Sequence, residues 1–181
     1  MKIERLEVGE LRCNCYLLSY LDSVLVIDPG DEFELISHKI GDRRLVGIIV
    51  THYHFDHIGA LESLVDRYHV MVYDKSNLDI EKENVIDKFR FMVIDTPGHR
   101  EDAITIYFKE DGVMFCGDFI FRDGIGRCDL DGGNYYDMLE SIRKIKKYPR
   151  DTVIYPGHGD SSTLGYEMDN NIYFRDDVKY F

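Results

Sequence analysis

Basic residues are the scarce charge in this 181-residue chain: 22 Lys and Arg stand against 34 Asp and Glu, a net charge of −12. A surface that acidic repels phosphate backbones, which argues against nucleic acid as a partner and otherwise reads as solubility. Long apolar runs are missing as well. No stretch approaches the ~18 residues of a membrane span, and the opening "MKIERLEVGELR" has no apolar export core. The expectations are therefore no membrane partner and a cytoplasmic location. Cysteine is sparse. Cys13, Cys15, Cys116 and Cys128 show no CxxC spacing and too little density for a disulfide framework, so reduced thiols are expected. Cys13 and Cys15, two apart in a strand-like run, should share one face as small buried residues. Repeats, low-complexity tracts and linkers are absent too, so residues 1–181 read as a single domain. At 44% apolar residues, a chain of this length can build a core without disulfide support.

What is present is an alternation of strand and helix patterns. "KIERLEV", "NCYLLSYL" and "SVLVID" read as strands, with "YLDS" as a hairpin turn. "DPG" ends the third, and "DEFELISHKI" has helical spacing with acidic residues in its first turn. "RLVGIIV" is a buried strand, and "GALESLVDRYH" predicts a helix beginning near Ile58. A second set follows, with strands at "HVMVY", "FRFMVID", "AITIYF", "GVMFCGD" and "DTVIYPGHGD". "NYYDMLESIRKIKKY" is an amphipathic helix with Asn134 as N-cap and Pro149 past its end. Two similar halves suggest two sheets with helices outside.

"THYHFDH", residues 51–57, directly follows the buried strand. In an extended segment His52 and His54 face one side, and Asp56 and His57 lie where the chain turns into the helix. Three further candidates stand at other strand ends, each after a glycine: His99 in "TPGH", Asp118 in "CGDF" and His158 in "YPGHG". Seven nitrogen and carboxylate donors divide between two divalent cations. His52, His54 and His99 would take one, Asp56, His57 and His158 the other, and Asp118 would bridge them. Zinc suits that donor set best, with iron or manganese also compatible. His38 and His69 fall outside the motifs and read as surface residues.

These motifs, with "NCYLL", "VIDPG", "GDFIF", "GIGRCDLDGGN" and "YPGHGDSSTLGYE" in order, resemble the metallo-β-lactamase fold hydrolases, most closely their glyoxalase II-like group. The resemblance runs through nearly the whole chain. It implies an α+β fold, a four-layer αββα sandwich with the metal site at one edge of the two sheets. It also implies hydrolysis of a thioester (an acyl-glutathione or related acyl-thiol) by a metal-bridging hydroxide, with Asp118 bridging and Asp56 orienting the nucleophile as catalytic groups. Arg127, in "GIGR", matches a glutathione-contacting loop and could bind a substrate carboxylate. A structural tie for the loop is the alternative, and Cys128 beside it reads as loop filler. Three features depart from the pattern: the chain ends soon after "PGHG", without a C-terminal helical glutathione-binding domain; "HREDA" replaces His-Thr-Pro-Gly-Ser; and the 57–99 stretch is short. A persulfide dioxygenase with one iron on His52, His99 and Asp118 is the alternative reading, as is a lactonase or other ester hydrolase.

Overall fold

The computed structural model describes residues 1–175. Its first half forms one five-stranded sheet in chain order: β1 (Lys2–Val8), β2 (Cys13–Tyr20), β3 (Ser23–Ile27), β4 (Arg44–Ile49) and β5 (Val72–Tyr73). The first three strands pair antiparallel, and β3, β4 and β5 pair parallel. Parallel neighbours need crossovers. Helix α1 (Phe33–Ile40) supplies one, and α2 (Phe55–Ile58) with α3 (Leu61–Tyr68) supplies the other.

The second sheet is built from β6 (Glu83–Ile86), β7 (Phe89–Asp95), β8 (Ile104–Phe108), β9 (Val113–Gly117), β12 (Val153–Pro156) and β13 (Ser162–Thr163). Between β9 and β12 come a small hairpin, β10 (Ile120–Phe121) with β11 (Gly124–Ile125), and the crossover helix α4 (Tyr135–Ile145). Helix α5 (Leu164–Asn170) follows β13.

Side-chain alternation explains why these elements stack in four layers. Along β2, Tyr16 and Leu18 point into the core between the sheets, where they meet Phe89, Phe91 and Phe115. Cys13, Cys15 and Leu17 point the other way, beneath Ile36 and Ile40 of α1 and Leu64 of α3. On the far side Met138, Ile142 and Ile145 of α4 cover Ile94, Met114 and Cys116. A fully buried Phe or Leu contributes about 1.5–3 kcal/mol, so the two-faced strands of each sheet hold both neighbouring layers. The αββα arrangement expected from the resemblance is the observed fold.

The α4 N-cap is also as read: Asn134 accepts from the backbone N–H groups of Tyr136 and Asp137. His38 and His69 lie on the surface, and all four cysteines are free thiols. Some boundaries differ. The expected strand at 69–73 is only Val72–Tyr73, because His69 adopts a left-handed conformation (φ 52°) and closes α3 with its N–H on Val65 O. Helical structure begins at Phe55, three residues before the expected start, so Asp56 and His57 sit on a helical turn. Strands β4, β7, β9 and β12 all end at one edge of the sandwich. That edge carries the candidate ligands.

Candidate metal centre

Each candidate ligand follows a strand end. His52 and His54 come after β4, His99 after β7, Asp118 after β9 and His158 after β12. The backbone must pass close beneath them. A Cβ at Gly157 would run into Asp118 Oδ1 and His57 Cε1, so only glycine lets that turn lie against the site.

The seven side chains converge as two groups. His52 Nε2 and His99 Nε2 lie 3.1 and 2.8 Å from His54 Nδ1. His158 Nε2 lies 3.1 Å from Asp56 Oδ2, and His57 Nε2 lies 3.8 Å from the same oxygen. Asp118 stands between them. Its Oδ1 is 3.3 Å from His57 Nε2, while its Oδ2 is 3.5 Å from His99 Nε2 and 3.6 Å from His158 Nε2.

Outer hydrogen bonds determine which nitrogen of each ring carries its proton. His57 Nδ1 donates to Asp28 Oδ2 at 3.0 Å, His99 Nδ1 to Arg127 O at 2.7 Å, and His158 Nδ1 to Leu11 O at 3.0 Å. Thr51 Oγ1 donates to Asp28 Oδ2, leaving a lone pair for His52 Nδ1–H at 3.1 Å. A neutral imidazole has one donor and one acceptor nitrogen. When neutral, four rings therefore turn Nε2 lone pairs inward, towards two carboxylates and His54 Nδ1. Acceptors that face each other in this way need a proton or a metal cation between them. His57 Nε2 and Asp118 Oδ1 are both buried with no hydrogen-bond partner, a cost that native structures rarely carry without an ion or water. The donor set thus fits two divalent cations.

Electrostatics separates the two groups. Burial, then the neighbouring imidazoles, push His52 well below its ordinary range; burial and His99 lower His54. Burial opposes charge on His57 too, but Asp28 and Asp118 outweigh it and raise this ring well above its ordinary range. His158 is raised chiefly by Asp56. Burial would raise Asp118, yet His57, His158 and His99 hold it low.

Sequence reasoning missed three contributors. Asp28, the acid of "VIDPG", is buried at φ 51° and accepts from the N–H and hydroxyl of Thr51 as well as from His57. Cys13, read simply as buried, has its Sγ within 4.8 Å of ring nitrogens of His57 and His158; burial pushes this thiol up to about 11. The "HREDA" segment also has a structural role. Asp102 Oδ2 accepts from the N–H of Tyr53, between His52 and His54, while Arg100 Nε donates to Asp102 Oδ1 at 2.7 Å.

Arg127 lines the cleft over the ligands, but its guanidinium is exposed and donates twice to Asp129, both bonds at 2.7 Å. Its carbonyl, not its side chain, touches the ligand set. Cys128 is half-buried, its thiol pushed up to about 11 by burial.

Comparison with known proteins agrees with this geometry. Residues 8–73 and 73–158 match the sequence profile of the metallo-beta-lactamase superfamily. The chain belongs to that superfamily. Among its relatives is the probable metallo-hydrolase YqgX of Bacillus subtilis (strain 168), 32% identical over 94% of this chain and 96% of YqgX. The hydroxyacylglutathione hydrolase GloC of Haemophilus influenzae is 30% identical, covering 94% of this chain and 97% of its own. Among solved structures, the BLEG-1 B3 metallo-beta-lactamase superposes with a TM-score of 0.91 at 30% identity, covering 96% of this chain and 99% of its own. TTHA1623, solved in a di-iron-bound form, gives 0.84 at 28% identity, covering 94% and 99%. The chain is a metallo-hydrolase of this superfamily, with His and Asp clusters suited to divalent metals.

Proposed function

We propose that the protein hydrolyses a small-molecule thioester with two divalent cations, zinc being the best match to a histidine-rich donor set. His52, His54 and His99 would hold one, Asp56, His57 and His158 the other, and Asp118 both. The observation that carries this reading is the convergence of seven His and Asp side chains in which buried His57 Nε2 and Asp118 Oδ1 face each other at 3.3 Å, where the two groups meet, without forming a hydrogen bond. It favours two cations over one iron on His52, His99 and Asp118, because that mononuclear set leaves His57 Nε2 and Asp56 without a role.

Two such cations supply a hydroxide near neutral pH and polarise the acyl oxygen. The chain's own groups do the rest. Asp118 faces both ligand groups and keeps them in register. Asp56, half-buried and turned to His158, orients the nucleophile's proton. Asp28 holds His57 in its Nδ1–H form, and the Arg127 carbonyl does the same for His99. The thioester part of the proposal is supported by the relationship to GloC. Four free cysteines suit a reducing, cytoplasmic setting.

The test is elemental analysis of purified protein alongside a panel of thioester, oxygen-ester, lactone and persulfide substrates. Two zinc per chain with thioester turnover is the expected result. One iron per chain, with oxygen consumed on a persulfide, would overturn it.

A further inference from the structure

The walls of the cleft bear on which thioester is used, an inference that rests on the thioester reading above. The cleft has a volume of about 520 Å³, with His54, Asp56, His99, Asp118 and His158 lining it. Around them stand Leu11 from the β1–β2 turn, Phe55 from the start of α2, Phe121 from β10 and Leu130 from the loop before α4. Three of these are large apolar side chains left open to solvent: Phe55 is 74% exposed, Leu11 54% and Leu130 41%. Phe121 packs edge-on near His158, with ring centroids 6.2 Å apart. Segments far apart in sequence thus place apolar surface around one reaction centre. Exposed apolar surface gathered in this way marks a binding face.

Charge points the same way. Among the described residues Arg127 is the one Lys or Arg lining the cleft, and its charge is paired with Asp129 through Nε and Nη2. The adjoining cavity, which shares Leu11, Phe55 and Asp56, carries Glu10 and Asp31. Away from the metal ligands an anionic arm would meet like charge, and the nearest side-chain cation is already paired with a carboxylate. Glutathione carries two carboxylates, so a glutathione thioester fits these walls poorly.

We infer that the cleft selects thioesters with an uncharged, apolar acyl group on an uncharged thiol, and that Leu11, Phe55 and Leu130 determine this specificity. Water expelled from their surfaces by the acyl chain supplies the discrimination, which therefore grows with chain length.

The experiment uses zinc-loaded full-length protein and acyl thioesters of one neutral thiol, N-acetylcysteamine, from acetyl to octanoyl. The value of kcat/KM should rise by about two- to fourfold per methylene until the chain outgrows the cleft. Phe55→Ser and Leu130→Ser should each lower the octanoyl-to-acetyl ratio by about tenfold, since each removes several apolar carbons. Both side chains are exposed, so the fold tolerates the changes. Calorimetric binding of the corresponding alkanoates to the same protein provides a readout without turnover, and it should show the same rise. A flat series in both kinetics and binding overturns the inference. So does a tenfold preference for acyl-glutathione over the N-acetylcysteamine thioester of the same acid. Binding that rises with length while no thioester is hydrolysed would leave the apolar selection standing and remove the thioester reaction instead.

Discussion

Asp28 Oδ2 lies 3.0 Å from His57 Nδ1, and both side chains are fully buried. The carboxylate also accepts from the N–H and hydroxyl of Thr51, whose oxygen in turn meets His52 Nδ1. One side chain that would touch no metal therefore orients a ligand in each group. Replacing Asp28 by Ala should weaken metal binding by about 10–100-fold, the usual cost of losing such a partner. The larger loss should fall on the group containing His57. Competition with a chromophoric zinc chelator measures it, and unchanged affinity would remove Asp28 from the account.

Asp102 makes a second prediction. Its bond to the Tyr53 N–H fixes the backbone between His52 and His54. Asp102→Ala should loosen the His52–His54–His99 group and lower the affinity of that one cation by about tenfold. The loop is at the surface, so the thermal midpoint of the metal-free protein should barely move. Equal loss of both cations would mean that Asp102 supports the fold as a whole.

The sequence made the candidate ligands legible because their residue types are costly anywhere else. Histidines and aspartates crowded at strand ends, three of them directly after a glycine, have few roles but binding a cation. The layered fold was legible for a similar reason: β2, β3 and β9 are nearly continuous apolar runs bounded by turn residues. Strands β6, β10, β11 and β13 left no such signal, being two to four residues long, and α5 followed them unread. Asp28 was hidden because Asp-Pro-Gly reads as a turn. Arg127 could be placed near the site, but its partner could not, since pairing with Asp129 two residues away depends on rotamers and not on spacing.

That pairing gives a third prediction. With its charge paired to Asp129 at an exposed site, Arg127 is a weak handle for a substrate carboxylate, so Arg127→Ala should change acyl-glutathione turnover by less than about threefold. Asp129→Asn should release the guanidinium and improve kcat/KM for acyl-glutathione by up to about tenfold, the range of one charge-assisted hydrogen bond. A neutral thioester should gain nothing. Steady-state kinetics on both substrates decides this. A large loss in Arg127→Ala on acyl-glutathione alone would show that the side chain leaves Asp129 to read the substrate.

Glycine at position 157 provides a fourth. A Cβ there has no room between Asp118 Oδ1 and His57 Cε1. Gly157→Ala should push the His158 turn away from Asp118 and cost at least about tenfold in affinity for the second cation. The same change at Gly159, where an added Cβ meets nothing within 4 Å, should leave metal binding near wild type despite the strain of its positive φ. Comparable losses in the two variants would point to loop strain in place of the close contact.

Metal stoichiometry tests the central claim most directly, measured by titrating chelator-stripped protein with zinc, wild type against Asp118→Ala. Wild type should take up two ions per chain. Because Asp118 faces His57, His99 and His158 within 3.3–3.6 Å, the variant should weaken at both positions together. Uptake of a single ion by wild type, or two ions held by Asp118→Ala at wild-type affinity, would contradict the account.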